Sequence, residues 1–475
     1  MRLNNQNLDQ IAQANHIPYA NRNSLREKIV QFGTGVLLRG LPDYYIDRAN
    51  REDNFNGSIV MIKSTQQGDL SPFEEQDYLY SLQTQGLIQG VPVETKEIIT
   101  CISRVLTASE DWDKVLALAT DQANEFIFSN TTEAGIVASE DELINNIPKS
   151  FPGKLTAFLY HRFQTFNGSN DSGLIILPTE LIDNNAQQLL KIVCDLAEKN
   201  KLPAAFISWI KHDNHFCNTL VDRIVPGKIN STKWTYQDEF AIRAEPFNLW
   251  AIEVQSDKIK QKLSFAKANP EIKLLSSIKH IKELKLRLLN ATHTLTCPIA
   301  IFSKHQFVRE TLAVQKYEHW IKKLMSTIIS PHLHYQGITE SEISEFANSL
   351  IDRFKNPTID HQWSAIAQNS TNKWRQRVLP ILESWYLHQE IVPKPLALSL
   401  AAYIACHQFL MTTDFPYDDQ IKKALDQHIP IEKLMADVNI WSVDLNLYPG
   451  FVKEVKLNLQ KLNQSPIHEE PINHL

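Results

Sequence analysis

The chain has 475 residues, 43% hydrophobic and 21% charged, a balance typical of a globular protein. This length exceeds what one hydrophobic core ordinarily organises, so two domains are expected. The formal net charge is −6, and the lysines and arginines are spread along the chain, which argues against a nucleic-acid partner. A local basic pocket for a small anion is compatible with this balance.

The N-terminal half alternates short apolar runs with helical patterns. The runs KIVQFG, GSIVMIKST, EFIFSN and GLIILP are rich in Ile, Val or Phe and stop at Gly, Pro, Ser or Asn, as buried strands do. Segments with helical spacing lie between them, at 108–122 and 184–200. This alternation predicts an α/β domain with a mainly parallel sheet and helices on both faces.

The strand signal fades from about residue 276, and the remaining segments have mostly helical spacing. Asp, Ser and Pro recur between them as helix caps and stops. The longest apolar run, LALSLAAYIAC at 396–406, is too short to span a bilayer. We therefore expect an α/β domain over 1–275, an all-α domain over 276–475, and no membrane partner.

The cysteines indicate the compartment. They are odd in number, lie far apart and form no CxxC pair: Cys101, Cys194, Cys217, Cys297 and Cys406. This pattern favours a reducing environment and argues against a disulfide framework or a cysteine-based zinc site. The first ten residues also lack the apolar segment of a signal peptide. A cytoplasmic location is the expectation.

A glycine turn follows the first predicted strand in IVQFGTGVLLRG. A GxG at a strand-to-helix turn lets backbone N–H groups approach a pyrophosphate. The third glycine of the usual pattern is missing, because Leu38 stands in its place. A turn without a ligand explains the same residues, but the position after the first strand favours dinucleotide binding. The candidate residues are Phe32, Gly33, Thr34 and Gly35.

Two further strand ends carry candidate cofactor contacts. The second strand ends in Lys63 and Ser64, where an NAD enzyme ordinarily has an acid for the ribose hydroxyls. A basic residue suits a 2′-phosphate, so the residues themselves leave NAD and NADP open, and a solvated strand end is the alternative. After EFIFSN, the polar residues Asn130, Thr131 and Glu133 stand at the ligand-binding edge expected of a parallel sheet. A polar loop without a ligand is the alternative for these three residues.

The stretch LKLRLLNATHT brings together an amine, an amide and an imidazole: Lys285, Asn290 and His293. In a regular helix Lys285 is about 140° from Asn290, so convergence requires a folded-back lysine stem or an irregular turn. A desolvated lysine can transfer a proton to or from a substrate oxygen, and an amide can stabilise the developing oxyanion. A solvated lysine beside a structural Asn and His is the competing interpretation.

Two other segments carry chemistry. FCNTLVDRIVPG sets Asp222 and Arg223 in an apolar run, where a buried ion pair is the structural alternative. DRFKNPTIDHQ contains Arg353, which suits bidentate binding of a carboxylate, and His361. A solvated helix end competes with that interpretation. Because there is no HExxH and no paired histidine spacing on one predicted helix, metal-free chemistry is favoured.

Together these segments resemble the polyol-specific long-chain dehydrogenases, the mannitol dehydrogenase family. The matching features follow the family's order over roughly residues 28–460: GTGVLLRG, LVDRIVP, K-x4-N-x2-H at 285–293 and RFxNP at 353–357. The stretches FSNTTEAGI, LIDNN, LNATHT and RFKNPTIDHQ resemble in particular a branch that acts on hexuronates.

The resemblance implies a Rossmann-type NAD-binding domain, a helical substrate domain, an active site between them and no catalytic metal. It implies Lys285 as general acid or base, Asn290 in the oxyanion hole, His293 on the reacting oxygen and Arg353 on the substrate's polar end. Family usage favours NAD over the NADP that Lys63 allows. The implied reaction interconverts a keto sugar acid and its alcohol. An isomeric keto acid or mannitol as substrate and, in another class, a non-catalytic nucleotide sensor are the alternatives.

The sequence departs from the family at one place. Mannitol-oxidising members resemble one another in an Asp-Asn pair after the strand that ends here in LPTELIDNN. This chain has Glu180 and Leu181 there, so one oxyanion amide of those relatives is missing, and Asn185 is the candidate substitute. The sequence leaves open the oligomeric state and the preferred direction of the reaction. The candidate substrate-binding residues are Arg353, His361, Glu180, Asn185 and Asp222.

Overall fold

The computed structural model describes residues 1–64, 68–131, 135–144, 146–409, 416 and 418–464. The chain forms two compact units. The first consists of Met1–Gln85 and Val93–Ile278, and the second of Gly86–Pro92 and Lys279–Leu475. The division in the second half of the chain thus follows Ile278, and a short segment from the first half groups with the second unit.

The elements of the first unit alternate between helices and strands over most of its length. They are α1 (Leu8–Asn15), β1 (Arg26–Phe32), α2 (Val36–Gly40), α3 (Pro42–Arg51), β2 (Gly57–Lys63), α4 (Ser71–Glu74), β3 (Tyr80–Ile88), β4 (Val91–Ile99), β5 (Ile102–Thr107), α5 (Trp112–Leu118), β6 (Phe126–Ser129), α6 (Phe151–Thr165), β7 (Ile175–Pro178), α7 (Asn185–Lys199), α8 (Ala204–Asp213), β8 (His215–Phe216), β9 (Thr219–Asp222), β10 (Gly227–Lys228), β11 (Ile242–Ala244), β12 (Leu249–Glu253), α9 (Asp257–Lys262) and β13 (Ile272–Leu275).

The main sheet has six strands in the order β5-β2-β1-β6-β7-β8, and each neighbouring pair is parallel. Chain order reverses beside β1, because β2 lies on one side of it and β6 on the other. In sheets of this topology, ligands bind beyond the carboxyl ends of the strands at that reversal. The four apolar runs of the sequence form β1, β2, β6 and β7, which confirms the predicted α/β Rossmann-type domain.

Two apolar layers cover the main sheet. Ile29 of β1 belongs to the layer that contains α3 and Trp250, whereas Val30 and Phe32 belong to the layer formed with α5, α6, α7 and α8. Burying a large apolar side chain stabilises the fold by roughly 1.5–3 kcal/mol. Because both faces are covered, the strands are apolar along their length instead of alternating, and β2 is buried at every residue.

Two smaller sheets complete the first unit. One has the order β10-β11-β3-β4 and the other β13-β12-β9. In the second of these, β9 pairs antiparallel with β12, so that Asp222 lies opposite Leu249.

The second unit is helical, apart from the segment 86–92, in the part of the chain that the structure describes. This confirms the predicted helical C-terminal domain. Its elements are α10 (Lys279–Leu284), a π-helix (Lys285–Ala291), α11 (Thr292–Phe302), α12 (Val308–Ala313), α13 (Gln315–Leu324), a second π-helix (Met325–Ile329), α14 (Ser330–Tyr335), α15 (Glu340–Phe354), α16 (Trp363–Ala367), α17 (Ser370–Arg377), α18 (Leu379–His388), α19 (Lys394–Phe409), α20 (Asp419–Asp426), α21 (Ile431–Ala436), α22 (Val438–Trp441) and α23 (Phe451–Gln464).

Helix α19 lies at the centre of this unit and packs against α11 and α23. Its residues 396–406 are buried on all sides, which explains the longest apolar run of the sequence. None of the helices in the described ranges is long and apolar enough to cross a membrane.

A carboxyl group is buried beneath the turn that follows β1. Asp43 of α3 is 0% exposed, and its Oδ2 accepts a 3.4 Å hydrogen bond from Nε2 of Gln31, which also donates to the carbonyl of Gly33 at 3.3 Å. Asp43 Oδ1 and Gln31 Oε1 have no hydrogen-bond partner among the described residues. Removal from water raises the pKa of Asp43 to about 8.

We expect Asp43→Asn to stabilise the protein at pH 8 but not at pH 4. Folded Asp43 keeps its proton up to about pH 8, whereas the unfolded carboxyl loses it near 3.8, so wild-type stability falls as the pH rises through this window. The uncharged amide removes that loss, on the order of 1–3 kcal/mol near pH 8. Thermal unfolding midpoints at both pH values measure the effect. The exposed Asp113→Asn is the control, and equal shifts at both pH values for Asp43→Asn contradict the expectation.

Candidate functional site

The glycine turn between β1 and α2 combines a constrained residue with an open one. Gly33 has φ +128°, and a Cβ there would lie 2.9 Å from Leu38 Cδ1 and 3.1 Å from the carbonyl oxygen of Asn130. Its amide donates to the carbonyl of Ile62 at 3.0 Å, which extends the pairing of β1 with β2. Gly35 has φ −64°, and a Cβ there would meet nothing within 4 Å. Gly33 is therefore required by the fold, whereas Gly35 leaves room beside the backbone.

The other two residues of the turn differ in position. Phe32 is buried, and its ring centroid lies 5.3 Å from that of Phe151 in the core beneath the sheet. Thr34 is half-buried between the two glycines. Phe32 thus anchors the start of the turn through packing.

A buried carboxylate joins the carboxyl ends of β6 and β7. Glu180 accepts hydrogen bonds from the amide and the hydroxyl of Thr131, at 2.9 and 3.0 Å, and from the hydroxyl of Ser129 at 3.1 Å. The side-chain amide of Asn130 donates to the carbonyl of Thr179 at 3.0 Å. Burial raises the pKa of Glu180 despite these donors. The structure therefore brings together Glu180, Asn130 and Thr131 at the predicted edge.

Lys63 lies at the end of β2, which is separated from β6 by β1 alone. Its side chain is buried, and its ammonium group donates to the carbonyl of Gly68. Glu133, the remaining candidate from the same strand ends, lies outside the described residues.

The side-chain amide of Asn185 is already used in hydrogen bonds to the backbone. It is buried at the start of α7, and its Nδ2 donates to the carbonyls of Pro178, Glu180 and Thr219 at 3.0, 3.1 and 3.2 Å. Its Oδ1 accepts from the amide of Thr219 at 3.1 Å. The side chain therefore connects the end of β7 to the start of β9.

Asp222 and Arg223 lie at the end of β9, and both are buried. The guanidinium group of Arg223 donates to the carbonyls of Gly40 and Glu245 at 2.7 and 3.0 Å and lies 4.6 Å from the centroid of the Tyr44 ring. Arg223 therefore links β9 to α2 and α3 within the first unit.

In the second unit the run KLRLLNA is a π-helix over Lys285–Ala291, between α10 and α11. The hydrogen bonds of a π-helix join residues five apart, not four as in an α-helix. Lys285 and Asn290 are five residues apart, a spacing that places both residues on the same side of a π-helix. The structure thus supplies the irregular turn that convergence requires, and His293 follows in the first turn of α11.

The imidazole of His293 lies in an aromatic pocket of the second unit. Its ring centroid lies 4.6 Å from that of Phe354, 5.2 Å from that of His361 and 6.0 Å from that of Trp363. The residue next to Phe354 is Arg353, which is buried at the end of α15. The segments RFKNPTIDHQ and LNATHT are therefore brought together in the second unit.

The charges that act on His361 are positive. Burial lowers the pKa of His361, and the neighbouring Arg353 and Lys373 lower it further. Lys373, on α17, donates to the carbonyl of Ile366 at 2.9 Å. Sequence reasoning missed Lys373, because it lies in an ordinary polar helical pattern about twenty residues after Arg353. This cationic pocket suits an anionic ligand.

Among the described residues, no group of three or more His, Cys, Asp or Glu side chains is arranged to hold a metal ion.

The parallel sheet with a glycine turn after its first strand, and the helical unit that follows it in the chain, have the architecture of a two-domain Rossmann-type dehydrogenase. The chain belongs to the mannitol dehydrogenase family. The model of the mannitol dehydrogenase Rossmann domain matches residues 27–264, and that of the mannitol dehydrogenase C-terminal domain matches residues 277–463. The resemblance drawn from the sequence motifs is thereby confirmed.

Similar proteins include altronate oxidoreductases. The one from Bacillus subtilis (strain 168) is 35% identical over 92% of this chain and 93% of its own length. The one from Yersinia enterocolitica serotype O:8 is 37% identical over 92% and 95%.

Two solved structures share the fold. Mannitol 2-dehydrogenase of Pseudomonas fluorescens, in a ternary complex with NAD and D-mannitol, is 19% identical with a TM-score of 0.72, over 100% of this chain and 99% of that one. A substrate-free D-sorbitol dehydrogenase is 18% identical with a TM-score of 0.81, over 99% and 100%.

We expect the two glycines of the turn to respond differently to alanine. Gly33→Ala should lower the free energy of unfolding by about 1–3 kcal/mol, because its φ and its neighbours exclude a Cβ. Gly35→Ala should leave stability nearly unchanged but weaken NADH binding, since the methyl group enters the open space beside the backbone. Thermal unfolding and NADH fluorescence titration measure the two effects. Equal destabilisation by both substitutions contradicts these separate roles.

Proposed function

We propose that the chain is an NAD-dependent oxidoreductase that interconverts D-tagaturonate and D-altronate. The cationic pocket around His361 carries this proposal, because it suits a sugar acid better than an uncharged polyol. The second support is similarity: relatives named altronate oxidoreductase are 33–37% identical to this chain over 92% of the chain's length.

The residues at the carboxyl edge of the main sheet fit a dinucleotide. The turn Phe32–Gly33–Thr34–Gly35 offers space for a pyrophosphate at Gly35, and Lys63, Asn130 and Thr131 lie at the ends of neighbouring strands. We assign Glu133 to the same set. NADH supplies the hydride for the substrate's carbonyl carbon when it is bound.

The second unit supplies the proton and stabilises the reacting oxygen. Lys285 donates its proton to the ketone oxygen during reduction and accepts it from the alcohol during oxidation. The side-chain amide of Asn290 stabilises the negative charge that develops on this oxygen, and His293 hydrogen-bonds to the same atom. The reaction needs no metal ion, because an ammonium and an amide provide the charge stabilisation.

The substrate's carboxylate is bound by Arg353, whose planar guanidinium group can donate two parallel hydrogen bonds. His361 contributes to the same pocket. Glu180 and Asp222 are the proposed contacts for sugar hydroxyls. Asn185 serves the site by fixing the strand ends, since its donors are directed at three carbonyls.

The two domains then have separate tasks. Residues 1–275 form the NAD-binding domain, and residues 276–475 form the substrate and catalytic domain. We also propose that the protein acts in the cytoplasm, because the five cysteines are buried free thiols, as is usual in a reducing compartment.

We expect Lys285→Ala to lower kcat at least about 100-fold while NADH binding is retained, because the proton donor is removed and the cofactor turn is not altered. Stopped-flow reduction of tagaturonate and NADH titration measure the two effects. Lys279→Ala is the matched control, since Lys279 is an exposed lysine at the start of α10. Turnover retained in Lys285→Ala shows that the lysine is structural.

The charge of the substrate is tested by Arg353→Met. We expect this variant to raise KM for tagaturonate about 10-fold or more, through loss of a charge-assisted bidentate contact, and to alter KM for neutral fructose much less. Steady-state assays with NADH and tagaturonate, fructuronate, fructose or mannitol measure both. Higher kcat/KM for an uncharged sugar overturns the substrate assignment, and higher kcat/KM for fructuronate transfers it to that isomer.

A further inference from the structure

Two arginines contact the π-helix that carries Lys285 and Asn290. Neither belongs to the motifs that relate the chain to its family. Arg287 lies within the π-helix, and Arg377 lies at the end of α17. Their contacts are directed at the backbone of the π-helix and at the end of the neighbouring helix.

The carbonyl of Asn290 lies where the π-helix changes to α11. A carbonyl at such a junction loses its usual partner within the helix, so another donor must satisfy it. Two side chains provide donors here. The hydroxyl of Thr294 donates to this oxygen at 2.9 Å, and Nη1 of Arg377 donates to the same oxygen at 3.5 Å and to Oγ1 of Thr294 at 3.2 Å.

Arg287 holds the π-helix from its buried side. Its Nη1 donates to the carbonyls of Gln376 and Arg377, at 2.7 and 3.0 Å, at the C-terminal end of α17. Its Nε donates to Glu283 at 3.0 Å, one turn earlier in the chain. The carboxylate of Glu283 also lies 4.0 Å from Nε2 of His332. Arg287 therefore binds the end of the helix whose last residue, Arg377, reaches back to Asn290.

The contacts form a closed loop between two segments. Arg287 of the π-helix binds the end of α17, and Arg377 of α17 binds the end of the π-helix. Bonds from a guanidinium group to carbonyl oxygens are charge-assisted and therefore stronger than neutral ones. A π-helix is a rare conformation, and these contacts stabilise it at this place.

We propose that Arg377 and Arg287 are positioning residues that hold Lys285 and Asn290 in the π-helical register needed for proton transfer. This inference rests on the roles given to Lys285 and Asn290 in the proposed function. Without the two arginines, the segment relaxes toward an α-helix and Asn290 rotates away from Lys285. Neither arginine is assigned a contact with the substrate.

The test compares Arg377→Met with Arg375→Met in the full-length protein. Arg375 lies on the same helix, but it donates to Asn439 and Asn372 and not to the π-helix. We expect Arg377→Met to lower kcat roughly 10- to 100-fold, because misplacement of a reacting group by about 1 Å has that effect. KM and NADH affinity should stay within about threefold of wild type. The pH profile of kcat should shift, since the surroundings of Lys285 change, and Arg377→Lys should restore part of the activity.

A milder variant covers the case in which Arg377→Met does not fold. Thr294→Val removes the hydroxyl that bridges Asn290 and Arg377 with almost no change in volume, so kcat should fall in the same direction with a smaller amplitude. Wild-type kcat and pH profile in either folded variant, or an equal loss in Arg375→Met, overturns the inference.

Assays of the wild-type protein distinguish a wrong substrate assignment from a wrong positioning role for the two arginines. If the wild-type protein reduces fructose or fructuronate faster than tagaturonate, the assignment fails, and the same variants are compared with the faster substrate. If the wild-type protein reduces none of them, both the proposed function and this inference fail.

Discussion

The proposed chemistry depends on one backbone constraint, the π-helical turn Lys285–Ala291. The hydrogen-bond spacing of this turn matches the five-residue separation of Lys285 and Asn290, which a regular helix would place about 140° apart. An amine and an amide can then act on the same oxygen. Buried leucines of the turn and the contacts of Arg287 and Arg377 stabilise this conformation.

In the first unit, the groups proposed to bind the cofactor are held in place by hydrogen bonds between strand ends. Its parallel sheet directs the ends of β1, β2, β6 and β7 to one edge, and buried polar side chains fix these ends. Glu180, Asn130 and Asn185 place their donors and acceptors on backbone and hydroxyl groups of adjacent strands. In a low-dielectric interior, a fully satisfied network of this kind makes the edge rigid. A rigid edge is what a dinucleotide with a long, flexible pyrophosphate requires.

Much of the fold could be predicted from local patterns. The runs that form β1, β2, β6 and β7 are continuous and apolar because both faces of the sheet are covered, and the helical periodicity after residue 276 is strong. The strands β3, β4 and β5 between residues 80 and 107 were not predicted. In β4 most residues are exposed or half-buried, so the segment lacks the continuous apolar run that marks the central strands.

The sequence by itself determined the family, the order of the two domains and the residue types available for chemistry, because local periodicity and motif order are encoded in neighbouring residues. Only the tertiary structure decided which of them converge. The π-helical register, the approach of His361 to His293 and the position of Lys373 depend on helices that are far apart in the sequence and meet only when their apolar faces are buried. The structure likewise showed that Asn185 and Arg223 use their donors on backbone carbonyls, since burial obliges polar groups to find partners.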